Sequence, residues 1–150
     1  MGCGKTLTAI AVIGALYQAG KVRRLLVVAP TTVVPVWPQE MADKADFPSV
    51  SAVMLGAKQK RLKAYSEMMR YADTRKDTLA GFQADAIILD EGHYIKSHTA
   101  VTSKAAYDLG DVCGYKLLLT GTPMTGRQDD LYGEFRFVDK RVFGTNFYAF

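Results

Sequence analysis

The sequence has little of what marks membrane, secreted or metal-stapled proteins. No apolar run approaches the ~18–20 residues that a membrane-spanning helix needs, and no basic segment precedes an apolar one at the N-terminus, as in a signal peptide. The 150 residues contain only two cysteines and two histidines, too few for a disulfide framework and unfavourable for a structural zinc site. We therefore expect a reduced, intracellular setting and no membrane partner.

The sequence also lacks internal repeats, low-complexity tracts and an obvious interdomain linker. What is present is an ordinary composition for one globular domain, with 49% hydrophobic and 23% charged residues. The formal net charge is +4, which is compatible with a polyanionic partner. Many proteins without such a partner are equally basic, so the charge alone selects no function.

A glycine-rich segment opens the chain and ends in Gly-Lys-Thr. This ending is typical of a phosphate-binding loop, in which glycines let successive N–H groups point at phosphate oxygens. The lysine would reach the β- and γ-phosphates, and the threonine hydroxyl would ligate Mg²⁺. On its own the segment also fits an ordinary glycine-rich helix start. We predict that Gly2, Gly4, Lys5, Thr6 and Leu7 bind ATP, with Thr6 also a ligand of the metal.

An acidic pair follows a second apolar run, residues 86–89, and is part of the sequence Asp-Glu-Gly-His. An unpaired carboxylate at the end of a buried strand is costly unless it is exposed or binds a cation. We predict that Asp90 holds Mg²⁺ and that Glu91 orients and deprotonates the attacking water. His93, two residues after the glutamate, is a candidate for coupling beside the γ-phosphate. A Lys-Thr cradle and an acidic pair together predict hydrolysis of a nucleoside triphosphate.

Hydroxyl groups and a glycine follow a third apolar run, at Thr120, Gly121 and Thr122. At the end of a strand these residues could sense the γ-phosphate and report it to a bound partner. Without the two motifs above, they would be a generic transition from strand to turn.

Apolar runs alternate with helical patterns, which predicts an α/β fold with a mostly parallel sheet and helices on both faces. Crossovers between parallel strands are right-handed almost without exception, so the loops after the strands lie at one edge of the sheet. We therefore expect Lys5, Asp90 and Thr120 to meet there. The predicted helices cover 6–19, a stretch ending near 45 with an uncertain start, 58–71, 99–109 and Asp129–Val138, and the predicted strands cover 25–29, 50–55, Ala86–Asp90 and 116–120.

These motifs together resemble the first RecA-like lobe of a superfamily-two helicase, most closely the SWI/SNF-type DNA translocases and their phage and bacterial relatives. The matching segments are Met-Gly-Cys-Gly-Lys-Thr at 1–6, the strand, proline and tryptophan-bearing stretch at 25–37, Asp-Glu-Gly-His with Ile-Lys-Ser at 90–97, and Leu-Leu-Thr-Gly-Thr-Pro with its tail at 118–144. The resemblance covers nearly the whole chain, and the segment 131–144, the tail that follows Leu-Leu-Thr-Gly-Thr-Pro, makes it specific. DEAD-box RNA helicases and AAA+ ATPases share the phosphate chemistry but not this tail.

The resemblance implies a RecA-like P-loop NTPase lobe that uses ATP and Mg²⁺ to move along duplex DNA. Asp90 and Glu91 would coordinate the metal and catalyse, while His93, Thr120, Gly121 and Thr122 would couple hydrolysis to movement. The tryptophan-bearing stretch at 25–37 would meet the DNA backbone. The candidate DNA-binding residues are Pro30, Thr31, Lys58 and Arg61.

The resemblance also implies that residues 1–150 are one helicase ATP-binding lobe, incomplete at the N-terminus, where the strand feeding the phosphate loop is missing. A second lobe, with an arginine finger, would follow residue 150. The expected setting is the cytoplasm of a bacterium or of a phage-infected host, with the nucleus left open. Two internal departures stand out: residues 71–81 are polar where the family has a strand, as if a piece were deleted, and Gly92 replaces the commoner alanine, which we expect to be a mild change.

Two other functions compete with this interpretation. The first is a degenerate module that binds nucleotide or nucleic acid without turnover. The second is a different P-loop NTPase, such as a DEAD-box RNA helicase, against which the tail at 131–144 argues.

Overall fold

Three parallel strands form the sheet in the part of the chain that the computed structural model describes, residues 4–57, 59, 82–124 and 129–150. The strands are β1 (Leu25–Val28), β2 (Ala86–Asp90) and β3 (Tyr115–Leu119), in the spatial order β1-β2-β3. The register pairs Val28 with Leu89 and Asp90 with Leu119. All three strands therefore run in the same direction and end at the same edge, as the α/β prediction requires.

Helices connect and cover the strands at positions close to those that the sequence predicts. They are α1 (Lys5–Gln18), α2 (Val36–Lys44), α3 (Val101–Asp111), α4 (Asp129–Val138) and α5 (Lys140–Phe143), with 3₁₀ turns at Gly92–Ile95 and Phe147–Ala149. Helix α2 begins at Val36, which places Pro38 in its first turn, where proline is tolerated. Among the described helices, none is long and apolar enough to cross a membrane.

The core has two layers, one on each face of the sheet, because side chains along the central strand alternate between faces. Ala86 and Ile88 pack against α1 and α2, while Ile87 and Leu89 pack against α3 and α4. All five residues of β2 are buried, which explains why its sequence is continuously apolar up to Asp90. Burying one isoleucine contributes ~1.5–3 kcal/mol. Helices on both faces of the sheet are thus confirmed.

Helix α1 is apolar along most of its length, and a glycine lies two positions beyond its last residue, Gln18. Gly20 adopts a left-handed conformation with φ of 70°, which costs glycine little. Its N–H donates to the carbonyl of Tyr17 at 2.9 Å, and the N–H of Lys21 donates to that of Leu16 at 2.9 Å. These two bonds satisfy carbonyls that the helix end leaves free, so the predicted glycine cap is confirmed.

The strand predicted over residues 50–55 is wrong. This segment has no regular secondary structure and pairs with none of the three strands in the described part of the chain. Val50 is 75% exposed and Val53 is 36% exposed, so both valines face solvent. A strand needs a hydrogen-bonding neighbour as well as apolar residues, and the apolar pattern alone cannot report one.

Several sequence predictions lie outside the described residues. They are the helix at 58–71, the departure at 71–81, and the candidate site residues Gly2, Lys58 and Arg61.

Candidate functional site at the carboxyl edge of the sheet

The carboxyl ends of the three strands bring the predicted motifs together. Asp90 is the last residue of β2 and lies opposite Leu119, the last residue of β3. Glu91 and Thr120 therefore leave the sheet side by side. Ligands of open α/β sheets bind at this edge.

The N-terminus of α1 faces the same edge. Gly4 precedes the helix in a left-handed conformation, with φ of 72°, and no atom of the described residues lies within 4 Å of the point where a Cβ would be. The Lys5 ammonium is 3.8 Å from Glu91 Oε1, and a Cβ on Gly121 would lie 3.4 Å from Lys5 Nζ. Thr6 is half-buried in the first turn, whereas Leu7 is 51% exposed.

Asp90 is a buried carboxylate, with 7% of its surface exposed. Its Oδ2 accepts a hydrogen bond from the indole Nε1 of Trp37 at 3.0 Å, and its Oδ1 accepts one from the N–H of Glu91 at 2.9 Å. A carboxylate offers about four lone-pair sites, so these two bonds leave acceptor capacity for a cation.

Glu91 lies between two cationic or potentially cationic groups. Its Oε1 faces Lys5, and its Oε2 is 3.1 Å from Nδ1 of His93. The His93 contact lacks the alignment of a hydrogen bond, and Nδ1 is buried with no hydrogen-bond partner among the described residues. The Glu91 backbone is left-handed, with φ of 53°, an uncommon and strained conformation for a residue with a Cβ.

The 3₁₀ turn after Glu91 packs closely against β3. A Cβ placed on Gly92 would lie 2.5 Å from both Cγ and Cδ2 of Leu118. Alanine at this position thus requires the Leu118 side chain to shift, and that the exchange is mild stays a prediction.

The hydroxyl residues after β3 form a local turn. The N–H of Thr122 donates to Thr120 Oγ1 at 3.1 Å, which fixes the Thr120 hydroxyl relative to the backbone. Thr120 is half-buried, while Gly121 and Thr122 are exposed. Gly121 is the member of this turn that approaches Lys5.

Pro30 and Thr31 leave β1 in a compact turn. The Pro30 carbonyl accepts hydrogen bonds from the N–H groups of Val33 at 2.8 Å and Val34 at 3.0 Å. Thr31 is exposed and Pro30 half-buried. Trp37, at the start of α2, is only 4% exposed. The indole is therefore covered, although the resemblance implies that the stretch containing it meets DNA.

The residues at this edge fit ATP and Mg²⁺. Beside Gly4 the described residues leave space, and they provide no side-chain cap for the start of α1. These two features and the Lys5 ammonium suit an anionic phosphate chain. No group of three His, Cys, Asp or Glu side chains in the described ranges could hold a metal ion by itself. A divalent ion at Asp90 would thus take further ligands from a hydroxyl, phosphate oxygens and water, which is how Mg²⁺ binds.

Comparison with known proteins identifies the family. The model of the SNF2-related domain matches residues 1–150. The chain belongs to the SNF2-related family. The SWI/SNF-type resemblance is thereby confirmed, and it prevails over the DEAD-box alternative.

The relatives of this SNF2-related chain are much longer proteins. It is 29% identical to a SWI/SNF-related matrix-associated actin-dependent regulator of chromatin subfamily A-like protein 1 homolog of Caenorhabditis elegans, over 100% of the chain and 22% of that protein. It is 29% identical to the DNA annealing helicase and endonuclease ZRANB3 of Mus musculus, over 97% of the chain and 14% of that protein. It is 32% identical to the probable ATP-dependent DNA helicase CHR23 of Arabidopsis thaliana, over 97% of the chain and 15% of that protein.

The fold is also similar to a solved structure. The Sulfolobus solfataricus SWI2/SNF2 ATPase core in complex with dsDNA matches with a TM-score of 0.75 and 25% sequence identity. The match covers 100% of this chain and 32% of that one. The RecA-like lobe is confirmed, and the chain spans less than a third of the matched structure.

Sequence reasoning missed the Trp37 contact. The available signal was a lone tryptophan, since a buried indole N–H nearly always finds an acceptor. Its partner, however, is 53 positions away along the chain, so no local pattern connects the two residues.

Proposed function

We propose that this SNF2-related chain is the ATP-binding lobe of a DNA-dependent ATPase that couples ATP hydrolysis to movement along duplex DNA. The observation that carries the proposal is the meeting of Lys5, Glu91 and Gly121 at one sheet edge, next to the buried Asp90. The family assignment supports it, as do the DNA helicases and the duplex-bound ATPase core among the similar proteins.

The Lys5–Glu91 pair would exchange for phosphate when nucleotide binds. Its side chains are 27% and 29% exposed, and ion pairs of this kind contribute only ~0–1 kcal/mol. Lys5 can therefore turn from Glu91 to phosphate oxygens at little cost, which frees the Glu91 carboxylate to orient and deprotonate water.

The other residues of the edge take complementary roles in the proposal. Bound ATP with Mg²⁺ supplies the phosphoryl group and the charge that offsets the phosphate oxygens. Thr6 and Asp90 would hold the metal, and Gly4 and Leu7 would line the nucleotide. The turn at Thr120–Thr122 and the half-buried His93 would report the state of the site to DNA.

Duplex DNA is the proposed partner, and Pro30 and Thr31 are its candidate contacts in the described part of the chain. Protein contacts to the sugar-phosphate backbone of DNA carry no information about the base sequence. The proposal includes a second lobe that closes the cleft and supplies an arginine, which is worth ~10³–10⁵ in rate in related phosphoryl-transfer systems. The bacterial or phage-infected cytoplasm stays a prediction.

Nucleotide titration tests the ATP site. We expect the chain to bind a fluorescent ATP analogue with Mg²⁺, and Lys5→Ala to weaken this binding by about tenfold or more, because charge-assisted hydrogen bonds are the strong ones. Lys21→Ala is the matched control, since Lys21 is an exposed lysine just beyond the opposite end of α1. Equal affinity for wild type and Lys5→Ala would contradict the proposed site.

Retention of nucleic acid at two salt concentrations tests the partner. We expect duplex DNA to bind independently of sequence and to weaken with salt, because log affinity falls by about 0.9 per phosphate neutralised for each decade of salt. Single-stranded RNA, which is typically read by base stacking and 2′-hydroxyl contacts, should bind less tightly. Tighter RNA binding, or DNA binding indifferent to salt, would contradict a duplex-DNA translocase.

A further inference from the structure

The contact between Trp37 and Asp90 joins two parts of the molecule that have different proposed roles. Trp37 lies in the first turn of α2, and its Nε1 donates to Asp90 Oδ2 at 3.0 Å. Both residues are buried, with 4% and 7% of their surfaces exposed. Solvent therefore cannot easily replace this bond, and the carboxylate has a fixed neighbour on one of its two oxygens.

The position of the indole is set by packing as well as by the bond. Trp37 belongs to the core layer formed by α1, α2 and one face of the sheet, together with Ile10 and Ile88. The donor cannot follow the carboxylate if the carboxylate rotates. The remaining oxygen, Oδ1, accepts from the N–H of Glu91 at 2.9 Å, so the carboxylate is held from both sides.

We propose that Trp37 is a positioning residue, whose indole N–H fixes the orientation in which Asp90 meets the metal ion of bound nucleotide. The inference rests on the proposed ATP site. Helix α2 follows directly from the turn that contains Pro30 and Thr31, and Trp37 is seven positions after Pro30. The bond from Trp37 to Asp90 therefore connects the candidate DNA contacts with the proposed metal ligand through a short, compact piece of chain.

The indole N–H can be observed directly, because Trp37 is the only tryptophan. A ¹⁵N-labelled chain should give one indole N–H signal. Asp90→Ala should move it towards the position of a free indole and speed its exchange with solvent. Asp43→Ala is the control, since Asp43 is an exposed carboxylate on the same helix, and it should leave the signal in place. An indole signal unchanged by Asp90→Ala would overturn the inference.

The functional test compares nucleotide affinity with and without the metal. The affinity for an ATP analogue with a β,γ-imido bridge is measured with Mg²⁺ and with EDTA, in wild type and in Trp37→Phe. The Mg²⁺ gain is the ratio of the nucleotide affinity with Mg²⁺ to the affinity with EDTA. We expect Trp37→Phe to lower this ratio by about tenfold, as loss of a hydrogen bond to a charged group predicts. The metal-free affinity should stay the same, since phosphate contacts from Lys5 are untouched.

A residue that only supports the fold would lower both affinities together or neither. If wild type shows a Mg²⁺ gain and Trp37→Phe shows the same gain, the inference is overturned but the proposed function is not. If wild type does not bind nucleotide, both the proposed function and the inference are overturned. If Trp37→Phe fails to fold, the replacement is β-(3-benzothienyl)alanine, in which sulfur takes the place of the indole N–H at nearly the same volume. The same loss of the Mg²⁺ gain is then expected.

Discussion

Glu91 combines a strained backbone with a side chain that lies between Lys5 and His93. A left-handed conformation costs a residue with a Cβ roughly 1–2 kcal/mol, and such strain is found at functional sites because the surrounding structure enforces it. In the proposed function this backbone directs the catalytic carboxylate out of the sheet edge.

Replacing Glu91 with glycine should therefore stabilise the chain while removing the carboxylate. Glycine adopts the left-handed region without a steric cost but loses more entropy on folding, so we expect the free energy of unfolding to rise by about 0.5–1 kcal/mol. Urea denaturation measures it. The control is Glu40→Gly within α2, which should lower stability by about 1 kcal/mol. Equal losses in both variants would show that the Glu91 backbone stores no strain.

Glu134 is a buried acid outside the proposed site. It is 6% exposed, and its Oε1 has no hydrogen-bond partner in the described residues. Burial raises the pKa of its carboxyl above the ordinary value of 4.5, the charge of Lys96 opposes this shift, and that of Asp130 adds to it. The folded chain thus holds this proton more tightly than the unfolded chain does.

The free energy of unfolding should fall as pH rises from the unfolded pKa of Glu134 to its raised folded pKa. Above pH 4.5 the unfolded chain loses the proton first, so the contribution of Glu134 is present at lower pH and is lost as pH passes the folded pKa. We expect Glu134→Gln to gain stability relative to wild type as the pH rises above 4.5. Denaturant unfolding at each pH measures the difference. A difference that is constant with pH would contradict a raised pKa.

At the scale of elements, helix α4 packs closely against the end of the 3₁₀ turn Gly92–Ile95, which follows Asp90 and Glu91. A Cβ on Gly133 would lie 2.2 Å from the carbonyl oxygen of Ile95 and 3.1 Å from that of Lys96. Backbone atoms cannot move aside as a side chain can. The close approach of α4 to this turn therefore depends on the missing Cβ.

Gly133→Ala should destabilise the chain even though alanine is the better helix former. The gain in helix propensity is about 1 kcal/mol, whereas forcing α4 away from the turn costs about 3 kcal/mol. Gly14→Ala in α1 is the matched control, because its Cβ would meet the side chain of Phe47 at 3.2 Å, and we expect a change within about 1 kcal/mol. Thermal or urea unfolding compares the two. A Gly133→Ala chain as stable as wild type would contradict this packing.

The elements that could be predicted from the sequence are those whose signal is local. The buried strand Ala86–Asp90 and the helix Asp129–Val138 have the predicted bounds, because a continuous apolar run and a helical period identify them. The segment at 50–55 failed because pairing is not a local property. The meeting of Lys5 with the sheet edge followed from the rule that parallel strands end together. The bond from Trp37 to Asp90 could not follow from any rule about neighbours in sequence.

At the scale of the whole molecule, the chain presents one wall of a proposed ATP site. Its carboxyl edge brings together Lys5, the acidic pair and the hydroxyl turn. The chain spans 14–22% of three similar proteins. The roles of these residues remain predictions. If the arginine comes from a second lobe, the chain alone should hydrolyse ATP slowly, with little acceleration by duplex DNA.

Phosphate release under single-turnover conditions, with the chain in excess over Mg²⁺·ATP, tests the central claim most directly. We expect a slow release by wild type that falls to background in Glu91→Gln, with the affinity for ATP unchanged, because the amide cannot deprotonate water. Glu40→Gln, at a half-buried position of α2 outside the proposed site, should retain the wild-type rate. Equal rates for wild type and Glu91→Gln, or a wild-type rate at background, would contradict a catalytic site at this edge and favour a module that binds without turnover.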